Sequence, residues 1–176
     1  MVFHEHIIRV CAPGEVTRAA LWAGLADFVA NPQDYLDGAV GATLGASETD
    51  ADGTVRMART LRFETGSFDE RVAMNEAAGT VRIENDGDAT RPASSFTMKI
   101  EEPEAGSLFL RCVYDQEGEH PAVAAQPKLA DLLRQAYETK DQEVVRRILE
   151  RAVSWSGLFL RKTKRAAPPR GGRPFC

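Results

Sequence analysis

From Val40 to Tyr114 the chain is a series of segments whose apolar residues recur at every second position, and a long stripe with a period near 3.6 follows them. A period of two puts alternate side chains on opposite faces of a strand, so such a series has to bury one face of an antiparallel sheet. The stripe supplies the cover. Counted from Pro127 to Ala152, a helix of roughly 25 residues spans about 38 Å, enough to cross a whole sheet.

The first strand is expected over residues 2–11, with His4, His6, Ile8 and Val10 on one side and Phe3, Glu5, Ile7 and Arg9 on the other. Pro13-Gly14 ends it. Thr17 then stands as an N-cap before the three-and-four spacing of Leu21, Trp22, Leu25, Phe28 and Val29. Asn31-Pro32 stops that helix, and Pro32 suits the first position of a short second one. Val40, Ala42, Leu44 and Ala46 open the sheet run. Val55, Met57, Arg59, Leu61 and Phe63 share the next face, and Phe68, Glu70, Val72 and Met74 share the returning one. A two-residue turn at Thr65-Gly66 would set Phe63 opposite Phe68, Leu61 opposite Glu70 and Arg59 opposite Val72, leaving Arg59 and Glu70 as diagonal neighbours. Further strands are expected over 80–85, 95–101 and 107–114, their apolar faces carrying Val81 and Ile83; Phe96, Met98 and Ile100; Leu108, Leu110, Cys112 and Tyr114. Residues 115–126 read as a polar, prolyl loop. The final stripe runs through Leu129, Leu132, Leu133, Ala136, Tyr137, Val144, Val145, Ile148, Leu149 and Ala152, interrupted near Lys140; beyond it Trp155, Leu158, Phe159 and Leu160 suit either a helical extension or a docked loop.

A chain of 176 residues suits one core. Its charge is uneven: six of the 22 basic residues lie beyond position 160, leaving 16 against 26 acidic ones before it, a formal charge of −10. Such a body does not bind nucleic acid, which needs clustered cations to displace counterions. No membrane span is expected, since no stretch reaches about 18 consecutive apolar residues, and the start lacks a basic region followed by an apolar one, which reads as cytoplasmic. Cys11, Cys112 and Cys176 are odd in number and unpaired in spacing, so free thiols are expected.

Strand, two short helices, six strands and a long final helix is the order of the helix-grip fold of the SRPBCC superfamily, which unites START, Bet v 1 and polyketide cyclase-like proteins. Thr17-Arg18-Ala19-Ala20-Leu21-Trp22-Ala23-Gly24-Leu25, followed by Asn31-Pro32, resembles the opening of its AtaL-like branch. Arg59-Thr60-Leu61-Arg62-Phe63, Glu70-Arg71-Val72 and Leu108-Phe109-Leu110-Arg111-Cys112-Val113-Tyr114 are similar to that branch's strand motifs. The resemblance covers residues 3–152. It implies an α+β fold in which a seven-stranded curved antiparallel sheet wraps around a long C-terminal helix, with two short helices after the first strand. A single domain over 1–160 and a basic tail over 161–176 follow. It further implies a hydrophobic pocket between sheet and helix, but no particular reaction: superfamily members carry lipids and hormones, cyclise or dehydrate polyketides, or act as chaperones.

Two functional readings are carried. One is a carrier or sensor for a hydrophobic small molecule, of lipid, polyketide or other natural-product type, bound among Trp22, Val55, Met57, Leu61, Phe63, Val72, Met74, Phe96, Met98, Leu110 and Tyr137. The other is a cofactor-independent cyclase or dehydratase, with Arg59 stabilising enolate charge and Glu70 or Tyr114 moving a proton. Arg59 and Glu70 interrupt apolar faces, and their bland reading is a partly solvated salt bridge worth about 0 to 1 kcal/mol. For Tyr114 and Tyr137 the leading reading is core packing with the hydroxyl reaching a rim partner, and for Trp22 it is an apolar anchor of the first helix, ahead of ligand contact. No metal and no cofactor are expected. His4 and His6 point the same way from one strand, but a zinc site wants a third protein ligand, and nothing fixes His120 near them. The oligomeric state stays open.

Overall fold

The computed structural model describes residues 1–11, 16–88, 91–118, 121–126 and 128–163, the side chains of 11, 121–122 and 153–163 excepted. The expectations for Pro13-Gly14, His120, Pro127 and the tail beyond Thr163 lie outside the described residues, as do those for the side chains of Trp155, Leu158, Phe159 and Leu160.

Seven strands form one antiparallel sheet: β1 (Val2–Cys11), β2 (Ala39–Thr49), β3 (Val55–Phe63), β4 (Gly66–Asn75), β5 (Thr80–Asn85), β6 (Ser94–Glu104) and β7 (Ser107–Gln116). Their order is β1-β7-β6-β5-β4-β3-β2, so β1 and β2 are the two edges. Helix α1 (Arg18–Ala30) and a 3-10 turn at Pro32–Asp34 carry the chain between those edges. A five-residue helix α2 (Pro121–Ala125) stands where a loop was expected, and α3 (Lys128–Thr163) closes the fold. The helix-grip architecture is the one observed.

Thr17 caps α1 as its sequence suggested, its Oγ1 accepting from the Ala20 N–H at 3.1 Å. The buried stripe of α1 is Leu21, Gly24, Leu25, Phe28 and Val29. It packs with Val144, Val145 and Ile148 of α3 over the inward faces of the central strands, where Val72, Val81, Met98, Ile100, Leu108, Leu110 and Cys112 are buried. Gly24 matters here. A Cβ on it would lie 2.3 Å from Ile148 Cγ2, so the absence of a side chain lets α1 and α3 touch.

The β3–β4 register departs from expectation. The turn falls on Glu64-Thr65 and Phe63 pairs with Gly66, which sets Leu61 opposite Phe68 and Arg59 directly opposite Glu70. The slip is an even number of residues, so the facing sets are unchanged. It replaces a diagonal charge pair with a direct one, while the Phe63 and Phe68 rings still meet edge-on at 5.7 Å.

Helix α3 behaves as two halves. Behind Lys140, Val144, Val145, Ile148 and Ala152 are buried. Ahead of it Leu132 is 61% exposed, and the helix meets the sheet there through Tyr137, stacked on Tyr114 at 4.2 Å, without sealing the space around that contact. The space beneath is where the site lies.

Candidate functional site

Two clefts open between the concave face and the first half of α3. The larger, about 660 Å³, is bordered by Tyr35, Leu36, Phe63, Ala136, Thr139 and Lys140, with Asp37 and Glu143 at its rim. The smaller, about 180 Å³, is lined on one side by Phe3, Glu70, Ile83, Phe96, Tyr114 and Tyr137 and on the other by the polar residues Asn85, Ser94, Ser95, Asp115 and Gln116. Lys140 links them: it borders the first and lies over the Phe96 ring of the second, Nζ 4.4 Å from the centroid.

The smaller cleft is walled by stacked rings. Tyr114 lies between Phe96, at 4.5 Å, and Tyr137, at 4.2 Å, and Phe3 meets Tyr137 edge-on at 6.1 Å. Strand alternation put Phe3 on the opposite side from His4. A register irregularity between Val2 and His4 breaks that alternation and brings Phe3 to the cleft.

Two polar groups lie under these rings. In the first, Arg59 donates from Nε to Glu70 Oε2 at 2.7 Å and from Nη1 to the Val29 carbonyl at 3.1 Å. The Arg59 side chain is 2% exposed and Glu70 12%. Val29 lies in the last turn of α1, whose carbonyls lack intrahelical donors, so Arg59 also caps that helix. Burial pushes the Glu70 carboxyl above its ordinary value, and the charge and hydrogen bond of Arg59 offset this only in part.

In the second, Tyr114 Oη donates to Asp141 Oδ2 at 2.6 Å and Lys140 Nζ lies 2.9 Å from Oδ1. His6 Nε2 lies 3.3 Å from Asp141 Oδ2, and His4 Nε2 lies 3.2 Å from Glu138 Oε1. Asp141 is 4% exposed. Burial alone would raise its carboxyl, but His6, Lys140 and Tyr114 outweigh burial and hold it below the carboxylate range. Burial, then the Asp141 charge, push the Tyr114 phenol far up. With its hydroxyl committed to Asp141 and its ring stacked on Phe96 and Tyr137, Tyr114 works as a wall.

The residues named from sequence divide by depth. Phe63, Phe96, Tyr114, Tyr137 and Glu70 border the clefts. Leu61, Val72, Met74, Met98 and Leu110 are buried, all but Leu61 within the main core cluster. Trp22 and Met57 pack half-buried against that core, Val55 is also half-buried, and Met57 and Val72 line a groove on the outer side of the sheet, not the inner clefts. Sequence reasoning missed Asp141 altogether and read Lys140 only as a break in the stripe. The usable signal was Asp141 itself, an acid four residues after Tyr137 and three before Val144, in register with an apolar face.

A sequence profile of the family described as AtaL, acetylaranotin biosynthesis cluster protein L, matches residues 6–154. No curated protein matches the chain in sequence. Among solved structures, a START superfamily protein from Mycobacterium smegmatis is similar at TM-score 0.60 and 18% identity, over 84% of this chain and 97% of that one. An 18 kDa protein from Caulobacter crescentus gives TM-score 0.60 at 14% identity, over 88% and 99%. The Zhui aromatase/cyclase from Streptomyces sp. R1128 gives 0.52 at 16%, over 85% and 92%. At these identities the structural likeness establishes the fold. Among the described residues no helix is long and apolar enough to cross a membrane.

Proposed function

The chain belongs to the AtaL family of the SRPBCC superfamily, and from that premise we propose that it binds a hydrophobic, partly aromatic small molecule in the clefts between its sheet and α3. One observation carries this reading. Beside the place where α3 meets the sheet through Tyr137 and Tyr114, about 660 Å³ is left open, bordered by Tyr35, Leu36, Phe63 and Ala136, next to a second space walled by Phe3, Phe96 and Tyr137. The walls mix apolar and polar groups, with Asp37, Thr139, Lys140 and Glu143 around the larger space and Glu70, Asn85, Ser94, Ser95, Asp115 and Gln116 around the smaller, which suits an apolar ligand that carries polar groups of its own. Lys140, at the junction, is the polar group best placed to meet a ligand oxygen. Arg59 acts behind Glu70, since its bonds are spent on Glu70 and on the end of α1.

A second reading, a cofactor-independent cyclase or dehydratase, draws on Glu70. Its carboxyl lines the smaller cleft with a raised affinity for its proton, which suits a proton carrier. Similarity to an aromatase/cyclase structure agrees with that reading in fold alone. The test is native mass spectrometry of protein purified from its own host, with extraction of what copurifies. A bound apolar compound released unchanged supports the carrier. Conversion of that compound or its precursor, abolished by Glu70→Gln, supports the enzyme. Protein that arrives empty and binds no apolar fluorescent probe refutes both.

A further inference from the structure

His6 and Cys112 are direct partners across β1 and β7, and Asp141 of α3 comes down over them. The donor atoms of His6, Cys112 and Asp141 all lie within 4.8 Å of one another. The three come from three elements: the edge strand β1, its neighbour β7 and the closing helix. We propose that they hold a divalent transition-metal ion of the zinc class, which staples the first and last strands to α3.

The burial is the second, independent observation. The His6 and His4 side chains are each 10% exposed, Asp141 4%, and Cys112 is fully buried. Both ring nitrogens of His6 and Nε2 of His4 are buried without an aligned hydrogen bond. A buried imidazole whose Nδ1 has no hydrogen-bond partner and whose Nε2 meets only one carboxylate oxygen, Asp141 Oδ2 at 3.3 Å, is costly, since buried polar groups in folded proteins find partners. A cation between His6 and Asp141 would replace their single 3.3 Å contact with two bonds, one to the nitrogen and one to the oxygen.

The spacing fits. Metal–nitrogen and metal–oxygen bonds of about 2.0–2.1 Å opened to the tetrahedral angle set their donor atoms roughly 3.3 Å apart. His6 Nε2 and Asp141 Oδ2 are 3.3 Å apart. One sulfur, one imidazole nitrogen and one carboxylate oxygen form a mixed, borderline-soft set, which suits zinc and excludes magnesium or calcium, both of which take oxygen. The outer contacts hold the carboxylate: Lys140 on Oδ1 and Tyr114 on Oδ2. His4 and Glu138, whose donor atoms also lie within 4.8 Å of His6, are the nearest source of a fourth ligand.

On binding, the Cys112 S–H bond breaks, the sulfur keeps the electron pair and bonds the metal, and the proton leaves to solvent. Thiolate and carboxylate then balance the two positive charges. The same three residues would otherwise suggest a thiol nucleophile with its base and acid. That reading fails on access, because Cys112 is fully buried.

The experiment uses the full chain, reduced and stripped with a chelator, titrated with Co²⁺ and then Zn²⁺. One equivalent of Co²⁺ should bind with a near-ultraviolet sulfur-to-metal charge-transfer band and intense four-coordinate visible bands, and Zn²⁺ should displace it and raise the melting temperature. Cys112→Ser should abolish the charge-transfer band. His6→Gln and Asp141→Asn should weaken binding at least tenfold, about 1.4 kcal/mol. The double variant Cys11→Ser/Cys176→Ser should keep the band, and needs no folding of a core variant. Absence of stoichiometric Co²⁺ binding by the wild-type chain, or loss of the band in that double variant, overturns the proposal.

Discussion

Arg59 and Glu70 face each other directly across the β3–β4 hairpin, Nε to Oε2 at 2.7 Å, while the same guanidinium reaches the Val29 carbonyl at the end of α1. A bridge so deeply buried is costly to break from one side, because the survivor keeps its desolvation penalty. Arg59→Met should therefore cost about 3–5 kcal/mol, read by urea unfolding. Combined with Glu70→Gln it should recover most of that, except roughly 1 kcal/mol for the lost cap on Val29. Losses that simply add in the double variant would mean that the two side chains are energetically independent.

Glu70 should also titrate visibly. Its folded carboxyl lies above the 4.5 of a free glutamate, so the folded state holds this proton more tightly than the unfolded one. The stability that this tighter hold contributes is complete below 4.5 and is lost as pH rises through the folded value. Relative to Glu70→Gln, wild-type stability should fall with pH across that window. Arg59→Met, which removes the charge that lowers the carboxyl, should extend the window upward. Carboxyl-selective NMR of the two proteins measures it directly; a Glu70 midpoint at or below 4.5 would contradict the burial argument.

The architecture was legible because binary pattern and turn chemistry agree along the sheet. Every expected strand is present, and the Thr17 cap and the inward sets of β5, β6 and β7 follow directly from alternation. Besides the short helix α2, three features that shape the site were not legible. The hairpin register turned on which two residues make the turn, and Thr65-Gly66 and Glu64-Thr65 both suit one. The place of Phe3 depended on an irregularity in β1, which alternation cannot show. The group around Asp141 joins residues 6, 112 and 141, and only the closure of β1 on β7 under α3 brings them together. His4 and His6 were visible as a pair; their neighbours were not.

Contact between α1 and α3 depends on Gly24. Gly24→Ala puts a methyl carbon into Ile148 Cγ2, a collision that well-packed cores relieve at about 1–3 kcal/mol. At roughly 2–4 °C per kcal/mol for a domain of this size, melting should fall by about 2–12 °C. Ile148→Ala alone should also destabilise, by leaving a cavity. Gly24→Ala/Ile148→Ala should then cost less than the two losses together, since the new methyl enters the space the old one left. Strict additivity in thermal melts would show that the helices do not meet at this point.

The last prediction separates the inner clefts from the outside of the sheet. Ala136 borders the larger cleft from the exposed half of α3, so a larger side chain there has solvent to enter and no core contact to break. Ala136→Trp should leave stability within about 0.5 kcal/mol, as surface changes do. Its indole occupies the space in which a ligand would lie, so affinity for an apolar fluorescent probe should fall at least tenfold, about 1.4 kcal/mol. The comparison is a second groove, about 340 Å³, on the other side of the sheet, bordered by Ala46, Glu48, Arg56 and Ala58 and floored by Met57, Val72 and Ala73. That groove is charged at its rim, with Arg71, Arg82 and Glu84 also around it. A desolvated apolar ligand gains little from charges that prefer water, so Ala46→Trp should leave probe affinity unchanged. Reversal of the two results, with Ala46→Trp weakening the probe and Ala136→Trp not, would move the binding site to the outer face and remove the argument for the inner clefts.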